Sequence, residues 1–130
     1  RRRRAYDSAM STQVAATKRS ALSLWLPVVL WACVIFAFSA VPSLGTGLGT
    51  WDLVLRKLAH VSEYALLGLL LARATRRPAV AVVLAAAYAV TDEIHQTFVE
   101  GRHGAPLDVA IDTAGALAGV LVWLHWSRRA

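Results

Sequence analysis

Cysteine is nearly missing from this chain. Cys33 is the only one among 130 residues, and it sits inside an apolar run. An intrachain disulfide and a cysteine-rich zinc site are therefore excluded. Charge is also scarce, at 17% of residues against 57% hydrophobic. A soluble domain this small has difficulty covering so much apolar surface. Acidic residues are outnumbered, 8 against 14 Lys and Arg, for a net charge of +6. That excess does not read as nucleic-acid binding, because no basic stripe interleaved with aromatics is present. The His-Glu-x-x-His signature of metalloproteases and the Gly-x-Ser-x-Gly nucleophile elbow are both absent. The class that remains is an integral membrane protein of one compact unit.

What is present is apolar length, in four runs. The first runs from about residue 21 to 41, with Pro27 expected in its first turns, where a missing amide hydrogen is best tolerated. Although a charged stretch precedes it, as in a signal peptide, a retained helix is expected. Pro42, Gly45, Gly47 and Gly49 then break the helix into a loop. The second run spans about 51–72 and stops at Arg73, Arg76, Arg77 and Pro78. The third spans about 79–99, a turn follows from Gly101 to Pro106, and the fourth spans about 107–126. Each is near the roughly 20 residues that cross a hydrocarbon core. The expected fold is all-α: a four-helix transmembrane bundle over residues 21–130, behind a basic arm at 1–20.

Orientation follows from the basic residues. Arg1 to Arg4, Lys18 and Arg19, then Arg73, Arg76 and Arg77, then Arg128 and Arg129 hold most of the positive charge. They punctuate alternate ends of the runs, so both termini are expected to be cytoplasmic. Of the acidic residues, only Asp7 falls on that side. At about 1.5 Å of rise per residue, Glu63 lies about 15 Å in from Arg73 and Lys57 about 24 Å in. Asp92 lies about 21 Å in from Pro78, and Asp112 about 24 Å in from Arg128. A charge at the centre of a membrane helix costs about 2.5–3.5 kcal/mol on insertion scales. Mutual pairing or a water-filled pocket towards the external side has to offset that cost.

Spacing shows which residues share a face. On the second run Lys57, His60, Glu63 and Tyr64 do so; on the third, Tyr88, Asp92, His95 and Gln96, with Glu93 at the border. On the fourth, Asp108 and Asp112 continue into Gly115 and Gly119, a small-xxx-small pattern that lets another helix approach. Proton transfer can be carried by His60, Glu63, Asp92 and Glu93, with Gln96 beside them as a further catalytic candidate. Binding of a substrate falls to Lys57, Tyr64, Arg102, Asp108, Asp112 and Ser39, with Lys57 and Arg102 suited to an anionic group. The bland alternative is structural: Lys57 with Glu63 or Asp92, and Arg102 with Asp108, as buried pairs that fix helix register. Trp25, Trp51, Trp123 and Trp126 read as interfacial anchors. A metal reading uses His60, Glu63, Asp92, Glu93, Asp108 and Asp112, whose donors suit Mg²⁺, Mn²⁺ or Zn²⁺. Because Lys57 and Arg102 would compete for those carboxylates, no metal ligands are assigned and the cofactor is left unknown.

These residues also form ordered motifs. Arg56 to Tyr64 followed by Leu67-Gly68 resembles the Lys-x-x-His-x-x-Glu-Tyr-x-x-Leu-Gly element of the VanZ-like family of bacterial membrane proteins. Thr91 to Arg102 resembles its Asp-Glu-x-x-Gln-x-Phe-x-x-x-Arg element, and Phe38-Ser39 the Phe-Ser that closes its first helix. Asp108, Asp112, Gly115 and Gly119 are similar to its ending, except that Asp112 stands where Asn is expected. The resemblance covers about 22–126. It implies a multi-pass protein of the bacterial inner membrane, in a family named for a member associated with low-level teicoplanin resistance. It implies no particular reaction, so whether the protein is an enzyme stays open.

The functional expectation is a cell-envelope protein whose external-side pocket binds or acts on an amphiphile. An envelope lipid, a lipid-linked cell-wall precursor or a glycopeptide would suit it. Two other classes fit the same residues: a small transporter or proton relay, and a purely structural bundle. The partners expected are the lipid bilayer, the amphiphile, and a second copy through Gly115 and Gly119, with no nucleic acid.

Overall fold

The computed structural model describes the backbone of residues 2–42 and 50–129, and side chains over 21–42, 50–51 and 54–129. The loop expected at Gly45, Gly47 and Gly49, and the side chains of the basic arm, lie outside the described residues. Four helices follow in order: α1 (Arg2–Ser39), α2 (Thr50–Thr75), α3 (Pro78–Gln96) and α4 (Pro106–Ser127). No strand occurs among the described residues.

Three of the four, Ala21–Ser39 within α1, Pro78–Gln96 and Pro106–Ser127, are long and apolar enough to cross a membrane. The helix α2 has the length, with 26 residues, but Arg56, Lys57, Glu63 and Arg73 interrupt its apolar character. Its partners compensate: α2 packs along α4 and also touches α1 and α3. The polar residues turn inward and the large apolar ones outward. Leu22, Leu30, Phe36, Val83, Leu121 and Phe98 are exposed, whereas Asp92, Glu93, Gln96 and Asp112 are buried. That inversion is expected where lipid replaces water as the surrounding solvent.

Proline and small residues shape the bundle. Pro78 and Pro106 each open a helix, where no amide hydrogen is needed. The residues before them, Arg77 and Ala105, are extended, as the proline ring requires. Between α2 and α3 the turn is tight, and Arg76 takes a φ of 54° to make it. Pro27 departs from expectation. The helix α1 runs without a break from Arg2, so Pro27 lies in its interior rather than its first turns.

On α3, Ala81, Ala85 and Ala89 form a fully buried stripe. Between α2 and α4 the approach is closer still. A Cβ added at Gly68 would overlap the backbone of Ala116, one at Gly119 that of Ala65, and one at Gly115 would lie 2.7 Å from the Val61 carbonyl oxygen. Gly115 and Gly119 are therefore spent inside the chain, and a second copy docking through them would have to displace α2. The matched pairs 61 with 115 and 65 with 119 make α2 and α4 parallel. Tyr88 donates to the Ala32 carbonyl and Ser39 donates to Asp92, which makes α1 and α3 parallel too. Up-and-down connectivity thus gathers the C-terminal ends of α1 and α3 with the N-terminal halves of α2 and α4.

Candidate functional site

That gathered end holds the polar side chains, in three linked groups. The first is an ion pair of Lys57 with Asp108, partly exposed on both sides. Asp108 lies in the first turn of α4, where a negative charge complements the helix dipole. The sequence had offered Lys57 to Glu63 or Asp92, and Asp108 to Arg102; Lys57 instead takes Asp108, and Arg102 forms no ion pair with it.

The second group centres on Asp92, 2% exposed. Its Oδ2 accepts a hydrogen bond from the Ser39 hydroxyl at 2.8 Å and another from Gln96 Nε2 at 3.1 Å. Arg102 in turn donates through Nη1 to Gln96 Oε1 at 3.2 Å. Its Nε and Nη2 donate to the carbonyls of Val41 and Phe38 at 3.1 and 3.2 Å. Arg102 thereby closes the end of α1 against α3 and orients the amide that holds Asp92. Burial, then the nearby Arg56, lower its pKa from the usual arginine value.

The third group pairs α2 with α4. His60 Nδ1 lies 3.4 Å from Asp112 Oδ2. Asp112 is fully buried, and His60, Asp92 and Asp112 can each offer one atom such that all three lie within 4.8 Å of one another. Three helices thus deliver one imidazole and two carboxylates to one spot. Tyr64, one turn beyond His60 on the same face, is fully buried. Its hydroxyl has no hydrogen-bond partner among the described residues, and neither do Asp92 Oδ1 and Asp112 Oδ1. Buried polar atoms without partners are uncommon and costly.

Glu93 stands to one side. Its Oε2 accepts the Ala105 amide at 2.8 Å, while its buried Oε1 has no partner. It lines an open groove of about 400 Å³ between α3 and α4, otherwise walled mostly by Val90, Ile94, Pro106 and Val109. Gly104 makes this arrangement possible, since a Cβ there would lie 2.7 Å from the Glu93 carbonyl oxygen. Glu63, expected at the centre, is only partly buried, and its carboxylate forms no hydrogen bond among the described residues. Its backbone carbonyl accepts from Trp31 Nε1 at 2.9 Å.

Trp31 escaped the sequence reading, and His95, read on the polar face of the third run, is placed differently. Trp31 bolts α1 to α2, and its place in mid-span, away from the interfacial belts, was the available signal. His95 stacks on Phe36 with ring centroids 4.3 Å apart, which ties it to α1 rather than to the acidic cluster.

The family model described as VanZ/LLP1 matches residues 10–127. No curated protein and no solved structure matches the chain.

Proposed function

The chain belongs to the VanZ/LLP1 family, and from that premise we propose that it is a multi-pass protein of the bacterial inner membrane that binds an amphiphile at the polar end of its bundle. The observation that carries this reading is the groove between α3 and α4. It is apolar along its length, with Glu93 among its lining residues, and the Oε1 of that side chain is buried behind the wall without a partner among the described residues. A slot of that kind fits an apolar chain whose polar end carries a hydrogen-bond donor. The cluster of Lys57, His60, Tyr64, Asp92 and Asp112 lies at the same end of the bundle. An anionic head group can compete with Asp108 for Lys57 in their partly exposed pair, and His60 and the carboxylates can exchange protons with it. All four helices cross, α2 included. With both termini cytoplasmic, as basic residues prescribe, the site faces the outer leaflet. An envelope lipid, a lipid-linked cell-wall precursor or a lipophilic glycopeptide such as teicoplanin has the required shape.

The test uses the protein in lipid nanodiscs with photoactivatable envelope lipids. Capture should fall at least fivefold in Val109→Trp, which fills the groove, and in Glu93→Gln. Equal capture by wild type and both variants would end the proposal. Chemical change of a captured lipid, lost in His60→Gln, would make the protein an enzyme. A second reading is favoured by the buried oxygens of Tyr64, Asp92 and Asp112 that have no partner among the described residues: a proton or ion relay. Flux into proteoliposomes that disappears in Asp92→Asn, with no lipid captured, would select it.

A further inference from the structure

The two buried aspartates are only half satisfied by the described residues. Asp112 is 0% exposed and Asp92 is 2% exposed. Each has one oxygen without a hydrogen bond among the described residues. The two basic side chains that the sequence set against these carboxylates are engaged elsewhere: Lys57 with Asp108, and Arg102 with Gln96 and two backbone carbonyls. The competition for carboxylates expected from the sequence is therefore diverted from Asp92 and Asp112. Two carboxylates held so deep, each with an oxygen left unsatisfied and no Lys or Arg side chain shown against either, are expensive.

We infer that His60, Asp92 and Asp112 bind one divalent first-row transition-metal ion, Zn²⁺ or Mn²⁺. Two carboxylates and a neutral imidazole carry a charge of about −2, which such an ion neutralises. Their donor set of one nitrogen and two oxygens suits these metals better than Mg²⁺, which favours oxygen and its own waters. The geometry agrees. Tetrahedral bonds of 2.0–2.1 Å place neighbouring ligand atoms about 3.3 Å apart. His60 Nδ1 and Asp112 Oδ2 are separated by 3.4 Å, long for a hydrogen bond but suitable for two ligands of one ion. The third ligand atom lies within 4.8 Å of both, within reach of a side-chain adjustment.

The outer shell is also in place. Ser39 and Gln96 both donate to Asp92 Oδ2, which leaves Oδ1 free to ligate, and Arg102 holds Gln96. Hydrogen-bonded carboxylates of this kind orient and tune a bound metal. Three protein ligands leave a fourth position open, as in zinc sites that activate water or hold a substrate oxygen. Tyr64, with its unpartnered hydroxyl, is on the same face of α2 as His60. This inference stands apart from the amphiphile reading, and either can fail without the other.

The experiment is equilibrium dialysis of chelator-treated, nanodisc-embedded protein against Zn²⁺ or Mn²⁺ alone, with bound metal measured by mass spectrometry. Wild type should hold one ion per chain. Asp92→Asn, Asp112→Asn and His60→Gln should each weaken binding at least tenfold, and Ser39→Ala should weaken it by about tenfold as an outer-shell change. Glu100→Gln, on the exposed connection between α3 and α4, should bind as wild type. Circular dichroism and thermal melts confirm folding of each variant. Should an asparagine variant fail to fold, Co²⁺-loaded wild type decides. An intense tetrahedral ligand-field band supports the site, and the spectrum of aqueous cobalt overturns it. Wild type that binds no metal, or Asp92→Asn and Asp112→Asn variants that bind as well as wild type, would overturn it too.

Discussion

Adding a single methyl group at Gly115 should loosen the bundle and open its polar end together. The added Cβ would lie 2.7 Å from the Val61 carbonyl oxygen, against about 3.4 Å for an ordinary contact. Both atoms belong to helical backbone, so no side chain can swing aside. Relief requires α2 and α4 to separate by about 0.7 Å at this level, the difference between those two distances. Overpacking of this size costs about 1–3 kcal/mol. An opposing term exists, because alanine favours a helix over glycine by about 1 kcal/mol. The sign therefore discriminates. If the close approach is real, Gly115→Ala is destabilised; if it is not, the variant is as stable as wild type or more so. Asp112 and His60 lie one turn from this contact on the same pair of helices, so their 3.4 Å separation should widen as well. Unfolding in nanodiscs, followed by tryptophan fluorescence or steric trapping, reads the stability. Ala118→Leu is the control, since Ala118 is exposed on the same helix and should change little. A Gly115→Ala protein that melts with or above wild type would refute the packing between α2 and α4.

Three further outcomes are expected. Cysteine at His103, in a Cys33→Ser background, should react with an impermeant thiol reagent in intact cells or spheroplasts, and cysteine at Thr75 should not; the reverse pattern would turn the site towards the cytoplasm. Arg102→Lys should destabilise by about 1–3 kcal/mol in melts, because an ammonium cannot reproduce a planar fork shared among Gln96, Val41 and Phe38. Glu63→Gln should leave the melting temperature near that of wild type, because the carboxylate has no hydrogen-bond partner to lose among the described residues; a drop of several degrees would reveal a structural pairing.

How much of this was legible in the sequence depends on whether a feature belongs to one helix or to several. Helix number and approximate ends follow from apolar length and from Pro78 and Pro106, which act locally. Depth arithmetic rests on rise per residue, a property of each helix, and it put Lys57, Asp92 and Asp112 near one level with Glu63 deeper. Pro27 was misplaced because helical continuity upstream of it, back to Arg2, is not written in hydropathy. Pairing across helices was not legible. Spacing says which residues share a face, but not the rotation and register at which two faces meet. Glu63 and Asp92 were the partners read for Lys57, and Asp108 the one read for Arg102, because spacing does not give the register of α2 against α4. That register rests on the glycines: Gly115 against Val61 and Gly119 against Ala65 hold the helices parallel and close. With those contacts made, Lys57 falls opposite Asp108, and His60 falls opposite Asp112. The small residues noted as a weak packing motif therefore do more to define the site than the charged residues that drew attention to it. A residue with no side chain decides which carboxylate each cation can reach, and leaves Asp92 and Asp112 facing a histidine instead.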